Sequence, residues 1–247
     1  VLAVFAVASV AIAHRLAPSL RVSPGAMRRG AMRKLYSFGW RAQIARLSNL
    51  IMFRTDALVV AVVFKFFGMV GLYDLGVRAA NQVRQIPALV VSALVPAASD
   101  LDARAEHDRL RRLYVISSKY LAVLTVPFVL FVVGAAGPLM RTWMGEKRDL
   151  AMATWVLRII AFGYLANLLP GAGVSVALGK GRSDVQMKAG LLGIFSNILL
   201  TVVLVYAMGF YGIPIATAVS MFVSWAWFSR AMRQVIGVGA LELLRDS

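Results

Sequence analysis

Four stretches of this chain, 120–140, 159–179, 189–209 and 210–229, each run for 20 or 21 residues without one charged side chain. A helix needs about 20 mostly apolar residues to cross the hydrocarbon of a bilayer. In lipid no water is present to satisfy an unpaired backbone N–H or C=O, so an uncharged run of this length folds as a helix. Overall the chain is 60% hydrophobic with a mean hydropathy of +0.75, against roughly 45–50% apolar residues in soluble domains. The excess sits in the long runs, cut by basic loops, and this excludes an ordinary water-soluble fold.

Two further segments, 37–64 and 69–99, are apolar but carry charges. The expected fold is therefore all-α: a polytopic membrane helix bundle with six full transmembrane helices plus a truncated one. The truncated one is Val1–Ala13, too short to span and preceded by neither Met nor a basic region. That argues against a signal peptide, and the segment reads as the tail of a span in a longer protein. The expected layout is a truncated helix over 1–14, a basic cytoplasmic linker over 15–36, a six-helix bundle over 37–230 and a cytoplasmic tail over 231–247.

The net charge of +16 does not point to nucleic acid, because the charges alternate by loop. Eighteen Lys and Arg fall in one set of alternate loops and their flanks, and four (Lys65, Arg141, Lys147 and Arg148) in the other. The rich side is expected to be cytoplasmic, anchored to anionic lipid. Five basic residues remain within spans or at their edges, Arg46, Arg54, Arg78, Arg84 and Arg158, joined by two acids, Asp56 and Asp74. Cys is absent and the two histidines, His14 and His107, stand far apart, so neither a disulfide nor a Cys or His metal site is expected. No cofactor is expected either.

The charges inside the spans are the informative ones. On a helix turning about 100° per residue, Asn49 and Asp56 share a face, with Arg46 on its flank and Arg54 pointing away. In the next span Arg78, Asn81, Gln85 and Ser92 lie within about 40° of Asp74, flanked by Gln82 and Arg84. Asp74 and Arg78 are four residues apart and suited to pair. Pro87 is expected to bend that span. An ionised side chain at mid-bilayer costs roughly 2.5–3.5 kcal/mol. Aligned polar groups on two successive helices predict a shared hydrated passage, and the cationic surplus predicts an anionic visitor. The candidate cavity residues are Arg46, Asn49, Asp56, Asp74, Arg78, Asn81, Arg84 and Gln85. The simpler reading is snorkelling arginines and a structural Asp74–Arg78 pair.

Other features carry less. Thr217, Ser220 and Ser224 form a small polar face suited to helix packing. Trp143, Trp155, Trp225 and Trp227 suit interfacial belts. Pro170, Gly171 and Gly173 predict a kink. Ser99-Asp100-Leu101-Asp102 has the composition of an N-cap opening a short surface helix.

The stretches "RLSNLIMFRTDALVV", "VGLYDLGVRAANQVRQIPALVVSALVPAASDL" and "RLRRLYVISSKYLAVLTVPFVLFVV" resemble a bacterial polysaccharide or O-antigen flippase. These flippases belong to the multidrug/oligosaccharidyl-lipid/polysaccharide exporter superfamily. The matching positions are Asp56, Val70, Gly71, Tyr73, Arg78, Pro87, Leu94, Pro96 and Ser99, and the likeness is good over 37–140 and loose beyond. The resemblance implies the second lobe of a two-lobe transporter in the bacterial inner membrane. It also implies alternating access to a lipid-linked oligosaccharide on undecaprenyl diphosphate, with H+ or Na+ as possible coupling ion and polysaccharide assembly proteins as possible partners.

Two alternatives stay open: a cation-coupled multidrug exporter of the same superfamily, and a membrane-embedded polysaccharide polymerase or glycosyltransferase. The first would favour acidic cavity groups, against the positive surplus here. The second would need acids or a sizeable loop outside the membrane, where Glu146 and Asp149 are the only acids. A non-enzyme is therefore expected.

Overall fold

The computed structural model describes residues 15, 29–65, 67–145 and 149–237. The chain divides into two compact units, Val1–Gly39 and Trp40–Ser247. Of the first, Arg15 and residues 29–39 are described, and all are helical. The expected truncated helix over 1–14, most of the expected linker and the last ten residues of the expected tail lie outside the described residues. Residues 29–36 of that linker form the start of a long helix.

Nine α-helices account for most of the described residues. They are α1 (Arg29–Phe64), α2 (Phe67–Val83), α3 (Gln85–Ala103), α4 (His107–Gly134), α5 (Ala136–Met144), α6 (Ala151–Leu168), α7 (Gly171–Gly179), α8 (Ser183–Met208) and α9 (Gly212–Ile236). No strand occurs among the described residues. Four stretches are long and apolar enough to cross a membrane: Leu35–Phe64, His107–Gly134, Ala151–Gly179 and Ser183–Ile236. A fifth is the pair Gly68–Val83 and Pro87–Ala103, bent by 50°. The protein is thus an all-helical, multi-pass membrane protein. Four or five such stretches are found where six full spans are expected, because the 54-residue stretch Ser183–Ile236 holds two helices, α8 and α9.

Proline sets two of the breaks. Pro87 has no N–H to offer Val83, and its ring crowds that carbonyl. The helix accordingly ends at Val83, turns at Arg84 and restarts, with the Ala88 amide donating to the Arg84 carbonyl at 3.1 Å. Pro170 separates α6 from α7 where the kink is expected. Between α8 and α9 the chain reverses through Gly209, whose φ of +60° suits a residue without Cβ.

The expected short helix opening at Ser99 is not formed. α3 runs through Ser99 to Ala103, and the turn comes at Arg104–Glu106. Burial decides this: Leu94, Ala98 and Leu101 continue one apolar face that packs on Leu110, Tyr114, Ala172 and Val176. Ser99 Oγ instead donates to the Gly179 carbonyl at 3.3 Å, and Asp102 pairs with Lys180 at 3.4 Å.

Small residues bring the helices close. A Cβ on Gly76 would sit 2.6 Å from the Ala153 carbonyl, one on Gly163 3.0 Å from Ala218 Cα, and one on Gly190 3.0 Å from Ser48 Cβ. These contacts seat α2 on α6, α6 on α9 and α1 on α8, the small-residue packing of membrane bundles. Asn197 faces Thr217 and Ala189 faces Ser224, so α8 and α9 run antiparallel. The core gathers Tyr73, Val156, Ile160, Tyr164, Ile213 and Met221. Outward, Leu58, Val123, Phe131, Leu199, Val202 and Tyr206 are exposed; apolar surface on this scale needs lipid around it.

Gly76→Leu forces side-chain atoms into the α6 backbone and should cost about 1–3 kcal/mol of stability, read as a lower unfolding temperature in detergent. Gly71→Ala, with no atom within 4 Å of the added Cβ, should leave it unchanged.

Candidate functional site

One stripe of α1 turns inward. Ala45, Ser48, Met52, Asp56 and Val60 are buried at a spacing of three or four, while Leu47, Leu50, Arg54 and Leu58 are exposed. Helical geometry puts Asp56 on the inward stripe and Arg54 opposite it. The Asp56 carboxyl is fully buried. The Tyr73 hydroxyl on α2 donates to its Oδ2 at 2.9 Å. The Thr217 hydroxyl on α9 donates to the same oxygen in a very short contact. Asn197 Nδ2 on α8 donates in turn to Thr217 Oγ1 at 3.0 Å. Four helices thereby meet at one carboxyl group. Hydrogen bonds to a charged group contribute roughly 1.5–3 kcal/mol each, so two suffice to offset an insertion cost of roughly 2.5–3.5 kcal/mol. The other oxygen, Oδ1, is buried without a hydrogen-bond partner, as is Asn197 Oδ1.

The second stripe divides. Arg78 Nε donates to Asp74 Oδ2 at 2.7 Å, as the i,i+4 spacing predicts, and both side chains are exposed. Asn81 Oδ1 accepts from the Tyr164 hydroxyl of α6 at 2.7 Å. The Arg84 guanidinium lies 5.5 Å over the Tyr164 ring, within cation–π range. Gln85 is exposed and bonds to Gln82 at 2.7 Å. Arg46 is exposed, and the side chain of Asn49 lies outside the described residues.

Arg84 opens onto a cavity of about 380 Å³ between α1, α3, α6, α7, α8 and α9. Its polar wall comprises Ser48, Ser92, Asn167, Ser175, Gln186 and Ser224. Among the described residues lining it, Arg84 is the one charged residue and none is an acid. The break at Pro87 places this wall: after the 50° bend, Ala88, Val91, Ser92 and Val95 of α3 face the cavity. Met52 and Ser220 also line it, with the Ser220 hydroxyl 3.6 Å from the Met52 sulfur. Asp56 and Thr217 lie one helical turn beyond those two residues.

The expected single passage through Arg46, Asp56, Asp74 and Arg78 is therefore not what the structure holds. Asp56 is sealed beneath the cavity floor, Asp74 and Arg78 satisfy each other at the surface, and of the eight candidates Arg84 alone lines the cavity. The physical reason is that Tyr73 and Thr217 lie within reach of Asp56, and hydroxyl donors hold a carboxyl group without water.

The family model described as polysaccharide biosynthesis protein matches residues 2–153, well over half of the chain. This chain belongs to the polysaccharide biosynthesis protein family. The model of the lipid II flippase MurJ matches residues 86–246. Both matches cover more than half of the chain, and the second is to a flippase family. No curated protein matches the chain significantly. Among solved structures, the chain resembles a MOP superfamily transporter from Pyrococcus furiosus, described by a binding pocket of reverse polarity that suggests a different function. The identity is 19%, covering 86% of this chain and 49% of that one, with a TM-score of 0.68. It resembles an outward-facing multidrug resistance MATE transporter of the superfamily at 19% identity, over 86% and 49% of the two chains, with a TM-score of 0.66. It also resembles a MATE transporter in a bent conformation at 20% identity, over 80% and 44%, with a TM-score of 0.66. At these identities the likeness is one of fold. The chain spans about half the length of those transporters.

Four residues of this family member's site are missing from the sequence-based candidates: Tyr73, Tyr164, Asn197 and Thr217. Tyr73 stands in the V-G-x-Y motif, and Asn197 is the one amide in the uncharged run 189–209, so both left a signal. Thr217 belongs to the small polar face, of which Ser224 does serve packing by donating to the Ala189 carbonyl at 2.8 Å. Tyr164 offered no periodic cue. Of the tryptophans, Trp143 and Trp155 are exposed as belt residues are, while Trp225 lines the cavity.

Tyr73→Phe strips one donor from a sealed carboxyl group and should lower stability by about 1–3 kcal/mol. Arg78→Gln breaks an exposed pair and should cost under about 1 kcal/mol. Thermal unfolding of the two variants side by side checks the contrast.

Proposed function

We propose that this chain supplies one lobe of a flippase that carries a lipid-linked oligosaccharide, on undecaprenyl diphosphate, across the bacterial inner membrane by alternating access. The observation that carries the reading is the polar wall of the 380 Å³ cavity, rich in hydroxyls and amides, with Arg84 as the one charge among the described residues lining it. Hydroxyl and amide side chains match the donor and acceptor pattern of sugars. A guanidinium matches the planar, bidentate geometry of phosphate. Counting α8 and α9 as separate crossings and the bent α2–α3 pair as one gives six spans, the complement of one lobe. With the basic loops on the cytoplasmic side, the cavity lies in the cytoplasmic half of the bundle, where loaded carrier lipid would enter. Arg46, Asp74, Arg78, Asn81 and Gln85, with Asn49, remain assigned to cargo contact on the faces of α1 to α3, outside that cavity.

The coupling ion, H+ or Na+, is assigned to Asp56. Its free Oδ1 and the free Asn197 Oδ1 are hard oxygen acceptors, the donor chemistry that either ion takes. Met52 and Ser220, between the carboxyl group and the cavity, would relay a change at one to the other. The multidrug exporter of organic cations is the second reading, and the absence of an acid among the described residues lining the cavity weighs against it.

In cells whose flippase carries Arg84→Gln, surface polysaccharide should fall at least about tenfold with membrane levels of the protein unchanged, and Arg84→Lys should restore part of it. Polysaccharide at parental level with Arg84→Gln, or a loss of drug resistance in its place, would overturn the assignment.

A further inference from the structure

Arg158 is an intramembrane charge that neither the cavity nor the Asp56 cluster uses. It lies seven residues into α6, about 10 Å from the helix start at 1.5 Å per residue. Its guanidinium reaches back toward that end and sits 5.0 Å over the Trp155 ring. Trp155 is itself 48% exposed, at the depth where aromatic residues mark the membrane interface. The five ion pairs seen among the described residues involve other cations, and Arg158 Nε is buried without a hydrogen-bond partner. A half-buried guanidinium in a membrane protein, with no carboxylate paired to it among the described residues, calls for an anion.

The surface around it says which anion. Arg158 stands in a groove of about 400 Å³ whose other walls are apolar: Val133, Ile159, Phe162, Ile215, Val219 and Phe222, with Trp155 and Ala218. α6 and α9 both run inward from their first residues, and the groove follows them from Trp155 and Ile215 past Phe162 and Phe222. A charge at the interface end and an apolar channel running toward mid-membrane have the polarity of one phospholipid molecule. A soluble phosphate would leave the channel empty, and a peptide would bring backbone groups with no partner there.

We propose that this groove is a binding site for an anionic phospholipid of the leaflet opposite the basic loops. Arg158 takes the phosphate in its fork, and an acyl chain lies along Ile159, Phe162, Val219 and Phe222. The occupant bridges α6 and α9 on the flank away from the cavity, so the site is separate from cargo binding and stands whatever the cargo is.

The test is native mass spectrometry of the purified protein, offered equal amounts of phosphatidylglycerol and phosphatidylcholine with the same chains. The wild type should retain phosphatidylglycerol in preference. Arg158→Gln should reduce that preference about fivefold, the weight of one basic residue against an anionic headgroup, and Arg158→Lys should keep part of it. Val219→Trp fills the groove with the charge in place and should release bound lipid of both kinds. It also decides the matter if Arg158→Gln fails to fold. Arg141→Gln, exposed in the last turn of α5, should change nothing. A preference untouched by Arg158→Gln in a folded protein, an equal loss with Arg141→Gln, or lipid retained by Val219→Trp would overturn the proposal.

Discussion

A single carboxyl group, sealed from water inside a membrane bundle, organises this protein. Asp56 is an expense that lipid surroundings do not tolerate alone, and the chain meets it with Tyr73 and Thr217, backed by Asn197. Because these partners come from α2, α9 and α8, satisfying the carboxyl group fixes the positions of four helices relative to one another. Besides Asp56, α1 is held by Phe53 against Tyr164 and Phe64 against Phe210, by Ser48 against Gly190 and by Met52 against Ser220.

The same stripe of α1 changes character along its length. Val60 and Asp56 lie in dry packing with the aromatic cluster of Phe64, Tyr73 and Phe210. Ser48 and Ala45, three turns back, open onto the polar cavity. The bundle is thus closed at one level and hollow at the next, with Met52 and Ser220 as the partition. On the proposed function, such a partition lies where a change of charge at Asp56 would be felt by whatever occupies the cavity. The bend at Arg84 belongs to the same design, since it turns α3 so that its hydroxyl-bearing face forms the cavity wall and leaves Arg84 at the rim.

The helices were legible in the sequence because lipid leaves the backbone one choice: uncharged runs of 20 residues are helices, and Pro87 and Pro170 interrupt them near where a missing N–H requires. The Asp74–Arg78 pair followed from spacing alone. Two things were not legible. The end of α3 was misread at Ser99, since its capping composition is local while the burial of Ala98 and Leu101 against α7 and α4 is not. The partners of Asp56 were missed because they lie 17 and 161 residues away, and helical periodicity reports which face a residue occupies but not which helix it meets. For that reason aligned polar groups suggested one wet passage, where the protein builds a dry carboxyl layer and a separate wet cavity.

The most direct measurement of that division uses the absence of cysteine from the chain, which gives thiol labelling no background. Ser92→Cys stands on the cavity wall and Val60→Cys at a fully buried position one turn from Asp56. With a water-soluble maleimide applied to permeabilised membranes, Ser92→Cys should label rapidly and Val60→Cys only after unfolding in detergent. Equal labelling of both, or a protected Ser92→Cys, would contradict a hollow polar half above a sealed carboxyl layer.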